Sequence, residues 1–168
     1  FYGAESVTLN AKTLMNYLWK QILTEEQAGN MARILPVEFI SFCIDEKDFI
    51  YTIRQGNDVE SGQVRKLNAK GTNVLPDEVF GDRIEDPMLN DIVVDDEGFI
   101  SILDKSSGRV FQYDQESTLL YAFGGKGTQK GCFATAEAIE SQADRLLVLD
   151  SERGSITVFE PTAFARNI

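Results

Sequence analysis

The residues with the greatest chemical potential in this sequence are clustered carboxylates. Asp45-Glu46, Glu85-Asp86 and Asp95-Asp96-Glu97 could supply oxygen ligands to a hard cation such as calcium, which takes about six to eight of them. Each group also has the composition of a hairpin turn on a solvated acidic rim. The turn interpretation explains all three groups without a metal, so the sequence assigns no metal ligand.

Two further aspartates follow aliphatic runs at matched positions. Asp104 ends the run Ile100–Asp104, and Asp150 ends the run Arg145–Asp150. Short acidic side chains in such positions accept hydrogen bonds from the turn that follows. We therefore expect both carboxylates to accept backbone or serine hydrogen bonds within the next turn.

A glycine-rich segment, Gly124-Gly125-Lys126-Gly127-Thr128, superficially resembles a phosphate-binding loop. The Walker pattern requires Gly-Lys followed directly by Ser or Thr at the start of a helix. Here Gly127 separates Lys126 from Thr128, and strand-like runs lie on both sides. The segment is predicted to be a turn between strands.

Catalytic groups are scarce. The 168 residues include no histidine, which removes the commonest general base and the commonest zinc ligand. Cys43 and Cys132 lie far apart among apolar or small neighbours, which favours two buried thiols and leaves a disulfide open. The sequence therefore assigns no catalytic, cofactor-binding or metal-binding residue and predicts a protein that is not an enzyme.

The charge balance restricts the partners. Sixteen Lys and Arg stand against 27 Asp and Glu, a net charge of -11, which repels nucleic acid and anionic membrane surfaces. Arg65-Lys66, Lys126 and Lys130 form no basic stripe, so RNA recognition is disfavoured. No apolar run has the length of a spanning helix. Because the chain begins with Phe1, we expect it to be part of a larger protein.

A repeat organises the chain. The segment Gly108–Asp114 recurs as Gly154–Glu160, and Gly62–Asn68 precedes it, with an offset of 46 residues in both steps. The preceding runs recur as well: Phe99–Asp104 matches Arg145–Asp150, and Phe49–Ile53 lies 50 residues before the first of these. Further upstream in each repeat come Phe42–Asp45, Ile92–Asp95 and Ala138–Ser141.

The runs have the length and β-branched composition of strands, separated by acidic or glycine turns. Leu119–Phe123 supplies a fourth run, whose counterpart one repeat earlier is Thr72–Leu75, with Val79-Phe80-Gly81 aligned to Ala122-Phe123-Gly124. Four short antiparallel strands per period of about 40 to 50 residues are typical of a β-propeller blade. Ile100, Ile102, Val110, Leu147 and Val148 are predicted to be buried between blades.

These residues resemble the NHL-repeat β-propeller family. The resemblance rests on the acidic turn, the strand ending in Leu-Asp, the Gly-led strand, and the Phe-Gly-Gly and Gly131-Cys132-Phe133 segments. More narrowly, the chain is similar to propeller proteins of Firmicutes with downstream helical repeats and a multi-pass membrane domain. This resemblance implies an extracytoplasmic protein, tethered to the membrane through regions outside this chain, and it implies no reaction.

Residues 11–35 interrupt the repeat. Apolar residues recur there at helical spacing, Thr24–Gln27 has the form of a capping box, and Pro36 ends the pattern. We predict a helical hairpin that Trp19 and Met31 pack onto a propeller face. The predicted fold is thus mainly β, a partial propeller of about three four-stranded antiparallel blades with this hairpin inserted near the N-terminus. The predicted boundaries are 1–10 for the last strand of a preceding blade, 11–35 for the hairpin, and 36–86, 87–131 and 132–168 for the blades.

The function predicted from these features is a non-catalytic interaction or scaffold module that binds a protein or another extracellular ligand through its loop faces. The alternative is a lactonase-like or lyase-like propeller enzyme whose site other blades complete. An arc of three blades also leaves apolar flanks open, so we expect self-association, with two arcs completing a six-bladed ring unless the hairpin covers one end. The strands predicted to form these flanks are Phe42–Ile44, Ile50–Ile53, Leu146–Leu149 and Ile156–Phe159.

Overall fold

The fold is that of a computed structural model, which describes residues 39–54, 63–75, 80 and 87–163. Ten strands form three antiparallel sheets in which each strand pairs with the next along the chain. The first sheet contains β1 (Phe39–Ile44), β2 (Ile50–Arg54) and β3 (Val64–Leu67). The second contains β4 (Leu89–Val94), β5 (Ile100–Asp104), β6 (Arg109–Tyr113) and β7 (Leu119–Gly124). The third contains β8 (Ala136–Gln142), β9 (Arg145–Asp150) and β10 (Ser155–Phe159).

The three sheets stack side by side around their first strands. β1 contacts β4, and β4 contacts β8, so the first strand of each sheet lies next to its equivalent in the following sheet. Successive meanders stacked through their inner strands are the arrangement of propeller blades. The described residues are therefore a propeller-like fragment.

The structure reproduces the repeat down to a local irregularity. All three sheets have a register shift near the start of the first strand: between Phe39 and Ser41, between Leu89 and Asp91, and between Ala136 and Ala138. A β-bulge at one equivalent position in three sheets is a feature of the repeat itself.

One alignment is wrong by a residue. Ile92 pairs with Ile102, and Ile139 pairs with Val148, which makes Ile139 the equivalent of Ile92 at an offset of 47 rather than 46. Five residues separate Val94 from its partner Ile100, whereas four separate the equivalent pair Ser141 and Leu146, because the third sheet has the additional pair Gln142 and Arg145 and a two-residue turn. The extra residue of the offset therefore lies before Ile139.

The predicted fold class needs correction. Only the second sheet has four strands, whereas the first and third have three each in the described part of the chain. In the first sheet, Thr72–Leu75 forms only an isolated bridge between Asn73 and Leu67. The Asn73 side chain accepts the Lys66 N–H at 3.1 Å, which replaces a ladder bond between main chains. Beyond β10 the described chain continues through Pro161, which has no N–H to donate to a ladder.

The helical part of the prediction is likewise not seen. The described residues form strands and turns without a helix, and the fold is all-β there. The hairpin placed at 11–35 and the strand placed at 1–10 lie outside the described residues. The blade boundaries stay predictions. No helix in the described portion has the length and apolarity needed to cross a membrane.

The core consists of two apolar clusters, one at each interface between sheets. The first includes Ile100 and Ile102 against Tyr51 and Ile53, and the second packs residues of the second sheet on the third. Four of the five predicted core residues are confirmed as fully buried: Ile100, Ile102, Val110 and Val148. Leu147 is only half-buried, since it alternates with Leu146 and Val148 and so points to the opposite face of the third sheet.

An aromatic pair recurs at both interfaces. The rings of Phe80 and Tyr113 have centroids 4.8 Å apart, and those of Phe123 and Phe159 are 4.9 Å apart. This contact confirms the alignment of Phe80 with Phe123 even though the described residues of the first sheet form only three strands. The aromatic residue at the end of each repeat packs on the third strand of the next sheet.

Candidate functional site

Two of the three acidic groups that were considered as cation ligands, Asp45-Glu46 and Asp95-Asp96-Glu97, belong to a turn that occurs four times in the described residues. In each turn the side-chain Oδ1 of the first residue accepts the N–H groups two and four residues later, at 2.7 to 3.1 Å. The first residues of these turns are Asp45, Asn68, Asp95 and Asp114.

The fourth residue of each turn has a left-handed backbone, and two of the four are glycine. Gly71 and Gly98 have φ of 73° and 87°, whereas Asp48 and Ser117 adopt 63° and 68°. The carboxylates of the turns are thus hydrogen-bonded within the loop, as the turn interpretation predicted. Glu85-Asp86 lies outside the described residues. In the described ranges no three acidic, Cys or His side chains are grouped as a metal ion requires.

Asp104 is fully buried and binds the turn that follows it. It accepts hydrogen bonds from the Ser106 hydroxyl at 2.8 Å, the Ser107 N–H at 2.8 Å and the Ser107 hydroxyl at 2.6 Å. It also accepts the Met88 N–H at 2.6 Å, which ties the approach to β4 to the end of β5. Burial acts to raise the pKa of this carboxyl, but the hydrogen bonds outweigh burial and hold the pKa below its ordinary value.

Asp150 repeats this arrangement in the third sheet. Its oxygens accept the N–H groups of Ala134, Thr135 and Arg153 at 2.8, 3.2 and 3.1 Å. Burial opposes ionisation here too, yet these bonds and the Arg153 charge lower the pKa of Asp150. The prediction that both aspartates accept hydrogen bonds from the following turn is confirmed.

The glycine-rich segment is a turn, as predicted. Its N–H groups bind carbonyl oxygens: Gly125 donates to Gly108 at 2.8 Å, and Lys126 donates to Ser107 at 3.0 Å. On the other side, the Arg153 guanidinium donates to the carbonyls of Gly127 and Cys132, at 2.5 and 2.8 Å. A phosphate loop needs such N–H groups directed at the ligand, whereas these N–H groups donate to main-chain carbonyl oxygens.

Both cysteines are free thiols and half-buried. Burial raises the pKa of Cys43 to about 12, and the nearby Asp91, Asp45 and Glu140 carboxylates act in the same direction. Cys43 is therefore a protonated, weakly reactive thiol that packs on the first apolar cluster.

Sequence reasoning missed Asp91, which connects all three sheets. Its carboxylate on β4 accepts the Ser41 hydroxyl of β1 at 2.5 Å and the Ile139 N–H of β8 at 2.8 Å. The signal was an aspartate directly before the apolar run Ile92–Val94. Because this carboxylate accepts hydrogen bonds from both neighbouring sheets, it positions the inner strands.

The candidate functional site is a groove between the second and third sheets, with a volume of about 520 Å³. It runs from β7 to the turn between β8 and β9 and the segment after β10. Its apolar walls are formed by Leu120, Tyr121, Ala122, Phe123, Leu146, Phe159 and Pro161, together with Ala143. Its polar walls are formed by Asp95, Gln112, Ser141, Asp144, Arg145, Glu160 and Thr162.

The polar wall of the groove carries excess negative charge. The Asp95 and Glu160 carboxylates line it with one guanidinium, that of Arg145, which donates to Gln142 at 3.1 Å. Asp144 also lines the groove and has an interaction of its own. Burial raises the pKa of Asp95 despite the N–H bonds it accepts in its turn. A cationic group placed in the groove would offset the cost of burying this carboxylate.

The apolar wall contains one polar atom without a partner. The Tyr121 hydroxyl is buried and makes no hydrogen bond within the described structure. Buried polar groups are nearly always paired, so this hydroxyl is a candidate contact for a ligand. The sequence had placed Tyr121 in a predicted strand, but nothing in the repeat pattern singled out the groove.

Comparison with known proteins adds three solved structures with similar strand arrangements. A selenomethionine-substituted virginiamycin B lyase from Staphylococcus aureus gives a TM-score of 0.44 at 9% identity, over 74% of this chain and 42% of that one. A streptogramin B lyase gives 0.46 at 11%, over 76% and 42%. A catalytically inactive virginiamycin B lyase from S. aureus with quinupristin gives 0.42 at 14%, over 80% and 45%.

This chain spans less than half the length of those lyases, and likenesses at such TM-scores carry no information on activity. No protein-family model matches the chain, and no curated protein is significantly similar to it. The narrower NHL-repeat and Firmicutes resemblance stays a prediction, whereas the propeller-like arrangement of the sheets rests on their own topology.

Proposed function

We propose that this chain is a non-catalytic interaction module that binds an extended segment of a partner protein in the groove between the second and third sheets. The observation that supports it best is the composition of that groove. Aromatic and aliphatic walls exclude water from an anchor side chain, while the polar wall fixes orientation. The proposal assigns no reaction to the chain, and the extracytoplasmic, membrane-tethered setting stays a prediction.

The chemistry of the groove indicates what the bound segment carries. The Asp95 and Glu160 carboxylates against one guanidinium favour a Lys or Arg side chain, and the net charge of -11 favours a basic partner overall. An apolar anchor next to that basic residue would pack on Phe123 and Phe159. A group that donates or accepts a hydrogen bond would satisfy the Tyr121 hydroxyl.

The same charge makes nucleic acid an unsuitable partner. Binding to phosphates requires several aligned basic side chains that release counterions. Low-salt filter binding is therefore expected to show no micromolar affinity for RNA or DNA.

A selection with a phage-displayed library of random linear peptides tests the proposal. We expect enriched peptides to combine an aromatic or aliphatic residue with Lys or Arg, and their affinity to fall with salt. In Ala122→Trp, the exposed Ala122 of the groove wall is replaced by a ring that fills the groove. This variant should weaken binding about tenfold or more, equivalent to about 1.4 kcal/mol.

Ser155→Trp is the matched control, because Ser155 is also exposed on a strand but does not line the groove. It should bind the selected peptides like the parent. A selection that enriches no sequence, or peptides that bind the Ala122→Trp variant as tightly as the parent, would refute the groove as the binding site.

A further inference from the structure

The first sheet holds a cation of its own beside the acidic turn between its first two strands. Asp45 of this turn accepts the Tyr51 hydroxyl through Oδ2 at 3.4 Å. Lys66 pairs with Tyr51 across β2 and β3, and its ammonium lies 4.7 Å from the centre of the Phe49 ring and 4.9 Å from that of Tyr51. An ammonium over aromatic faces is a favourable electrostatic contact.

The second sheet has the same framework without the cation. The equivalents of Asp45, Phe49, Tyr51 and Lys66 are Asp95, Phe99, Ser101 and Gln112, since Ser101 pairs with Gln112 as Tyr51 pairs with Lys66. The Gln112 amide carries no charge, and its Nε2 donates to the Ser101 hydroxyl at 3.3 Å. The second sheet therefore has a smaller side chain in place of the tyrosine and a neutral one in place of the lysine.

The groove lies where these two replacements occur. Asp95 and Gln112 both line it, and Tyr121, which pairs with Gln112 on the neighbouring strand β7, adds an aromatic ring to the same wall. An occupant of the groove thus meets an acidic turn and an aromatic ring, the surroundings in which the first sheet holds Lys66.

Three acceptor atoms on this wall suit an ammonium group. Both turn hydrogen bonds of Asp95 fall on Oδ1, which leaves Oδ2 to face a cation. Gln112 uses its Nε2 on Ser101 and keeps its Oε1 for another partner. The Tyr121 hydroxyl is buried without a partner within the described residues. An ammonium has three donors, which matches the number of these acceptors.

A guanidinium suits the same wall less well. Arginine binds a carboxylate best through a fork that uses both oxygens, whereas Oδ1 of Asp95 already accepts two N–H groups of its turn. A lysine ammonium is a compact point charge and needs only one carboxylate oxygen. The first sheet likewise has a lysine, and not an arginine, over its two rings.

We propose that the basic residue of the bound segment is a lysine and that its ammonium binds Asp95, Gln112 and Tyr121, in the position that Lys66 has in the first sheet. We call these three residues the lysine subsite. This inference rests on the groove proposed above as the binding site, and it specifies the side chain and the wall that receives it. Phe123 and Phe159 remain for the apolar anchor.

Isothermal titration calorimetry with the peptides selected on the parent chain tests the inference. Each peptide is prepared in three forms, with Lys, Arg or Met as its basic residue. We expect the Lys form to bind most tightly and the Met form to bind about tenfold more weakly. The Arg form should bind more weakly than the Lys form, and an Arg form of equal or higher affinity would overturn the assignment to lysine.

Asp95→Asn removes the charge of the subsite while keeping the turn, because Asn68 already holds an equivalent turn with an amide oxygen. It should weaken the Lys form about tenfold and leave the Met form unchanged, as expected for two groups that contact each other. Asp114→Asn makes the same exchange in a turn that does not line the groove, and it should bind all forms like the parent. If Asp95→Asn weakens the Lys and Met forms equally, the lysine does not contact Asp95 and the inference is wrong.

Gln112→Lys gives the second sheet the residue that the first sheet has. Its ammonium should occupy the subsite and repel the lysine of the peptide. Gln112→Met is the control, since it has a side chain of similar length without the charge. The Lys form should bind Gln112→Lys more weakly than Gln112→Met, and equal affinities would contradict the inference. Far-ultraviolet circular dichroism verifies that each variant is folded.

Failure of the lysine subsite and failure of the groove give different results. If Ala122→Trp abolishes binding while the Lys and Met forms bind the parent equally, the groove stands and the lysine subsite is refuted. If the selection enriches no peptide, or if Ala122→Trp binds the selected peptides like the parent, the groove is wrong and the lysine subsite with it.

Discussion

Replacing Asp104 by asparagine tests whether a buried carboxylate organises the turn between β5 and β6. Both oxygens of Asp104 accept main-chain N–H groups: Oδ1 accepts that of Met88 at 2.6 Å, and Oδ2 accepts that of Ser107 at 2.8 Å. An asparagine has one oxygen and one NH2 group. Whichever way the amide is oriented, its NH2 group faces one of these two N–H groups.

The expected loss of stability has two parts. A hydrogen bond to a charged group contributes about 1.5 to 3 kcal/mol, and a buried donor left without an acceptor costs about 1 to 3 kcal/mol. Since Asp104 is 0% exposed, water cannot replace the lost acceptor. Together the two parts give about 2.5 to 6 kcal/mol, a large share of the roughly 5 to 15 kcal/mol that stabilises a domain.

Asp114→Asn is the matched control because an equivalent turn of the chain already has an asparagine at this position. Asp114 holds its turn through Oδ1 alone, accepting the N–H groups of Glu116 and Thr118. Asn68 performs the same function in an equivalent turn with an amide oxygen, accepting the N–H groups of Lys70 and Thr72 at 3.0 Å. The control should therefore change stability by no more than about 0.5 kcal/mol, the range of ordinary surface substitutions.

Urea unfolding followed by circular dichroism measures both variants. The reasoning predicts a lower midpoint for Asp104→Asn at an unchanged slope, and an Asp114→Asn curve that overlaps the parent. Equal stabilities for Asp104→Asn and the parent would show that the Asp104 hydrogen bonds contribute nothing net. A loss in Asp114→Asn as large as that in Asp104→Asn would show that the distinction between buried and turn carboxylates is wrong.

Three further changes have defined outcomes. Gly108→Ala should cost at least about 1 kcal/mol more than Gly154→Ala in urea unfolding, because both positions have positive φ but a Cβ at Gly108 would lie 3.1 Å from the main chain of Gly125. Ile102→Asp should lower the free energy of unfolding by several kcal/mol, because Ile102 is 0% exposed and an unpaired carboxylate would be buried there; a melting temperature within a degree or two of the parent would refute the strand register. Because the pKa of Asp104 is lowered on folding, its contribution is complete above the unfolded pKa of about 3.9 and is lost as pH falls through the folded pKa, so Asp104→Asn should show a shallower loss of stability in acid.

The sequence predicted well what the repeat determines. Strands β5 and β9, like β6 and β10, follow the 46-residue offset, because these segments are covered by neighbouring sheets and must remain apolar. The acidic turns were also predictable, since Asp-x-x-Gly gives a side-chain acceptor and a residue that tolerates positive φ. Asp48 and Ser117 adopt the same conformation without glycine, so a pattern that requires glycine finds only half of these turns.

The errors arose where contacts between distant segments override local pattern. The fourth run of the first sheet has strand-like composition, but the Asn73 side chain occupies the Lys66 N–H and limits pairing to one bridge. The alignment of β8 was wrong by one residue because a fixed offset between repeats does not account for a change in turn length. Asp91 was overlooked because its partners on β1 and β8 are 50 and 48 residues away in sequence.

The groove could not be read from the repeat because it forms where the repeat is broken. One wall is the short turn at Ala143-Asp144, which replaces the five-residue turn of the first two sheets. Another is the segment Glu160–Thr162, which leaves β10 where the second sheet continues into a fourth strand. Positions that follow the repeat are constrained by packing against the next sheet. The short turn and the segment after β10 do not follow the repeat, and they leave side chains of β7 uncovered. Binding specificity in this chain is therefore expected to reside in the residues that depart from the repeat, and substitutions there should change affinity while leaving the stacked sheets intact.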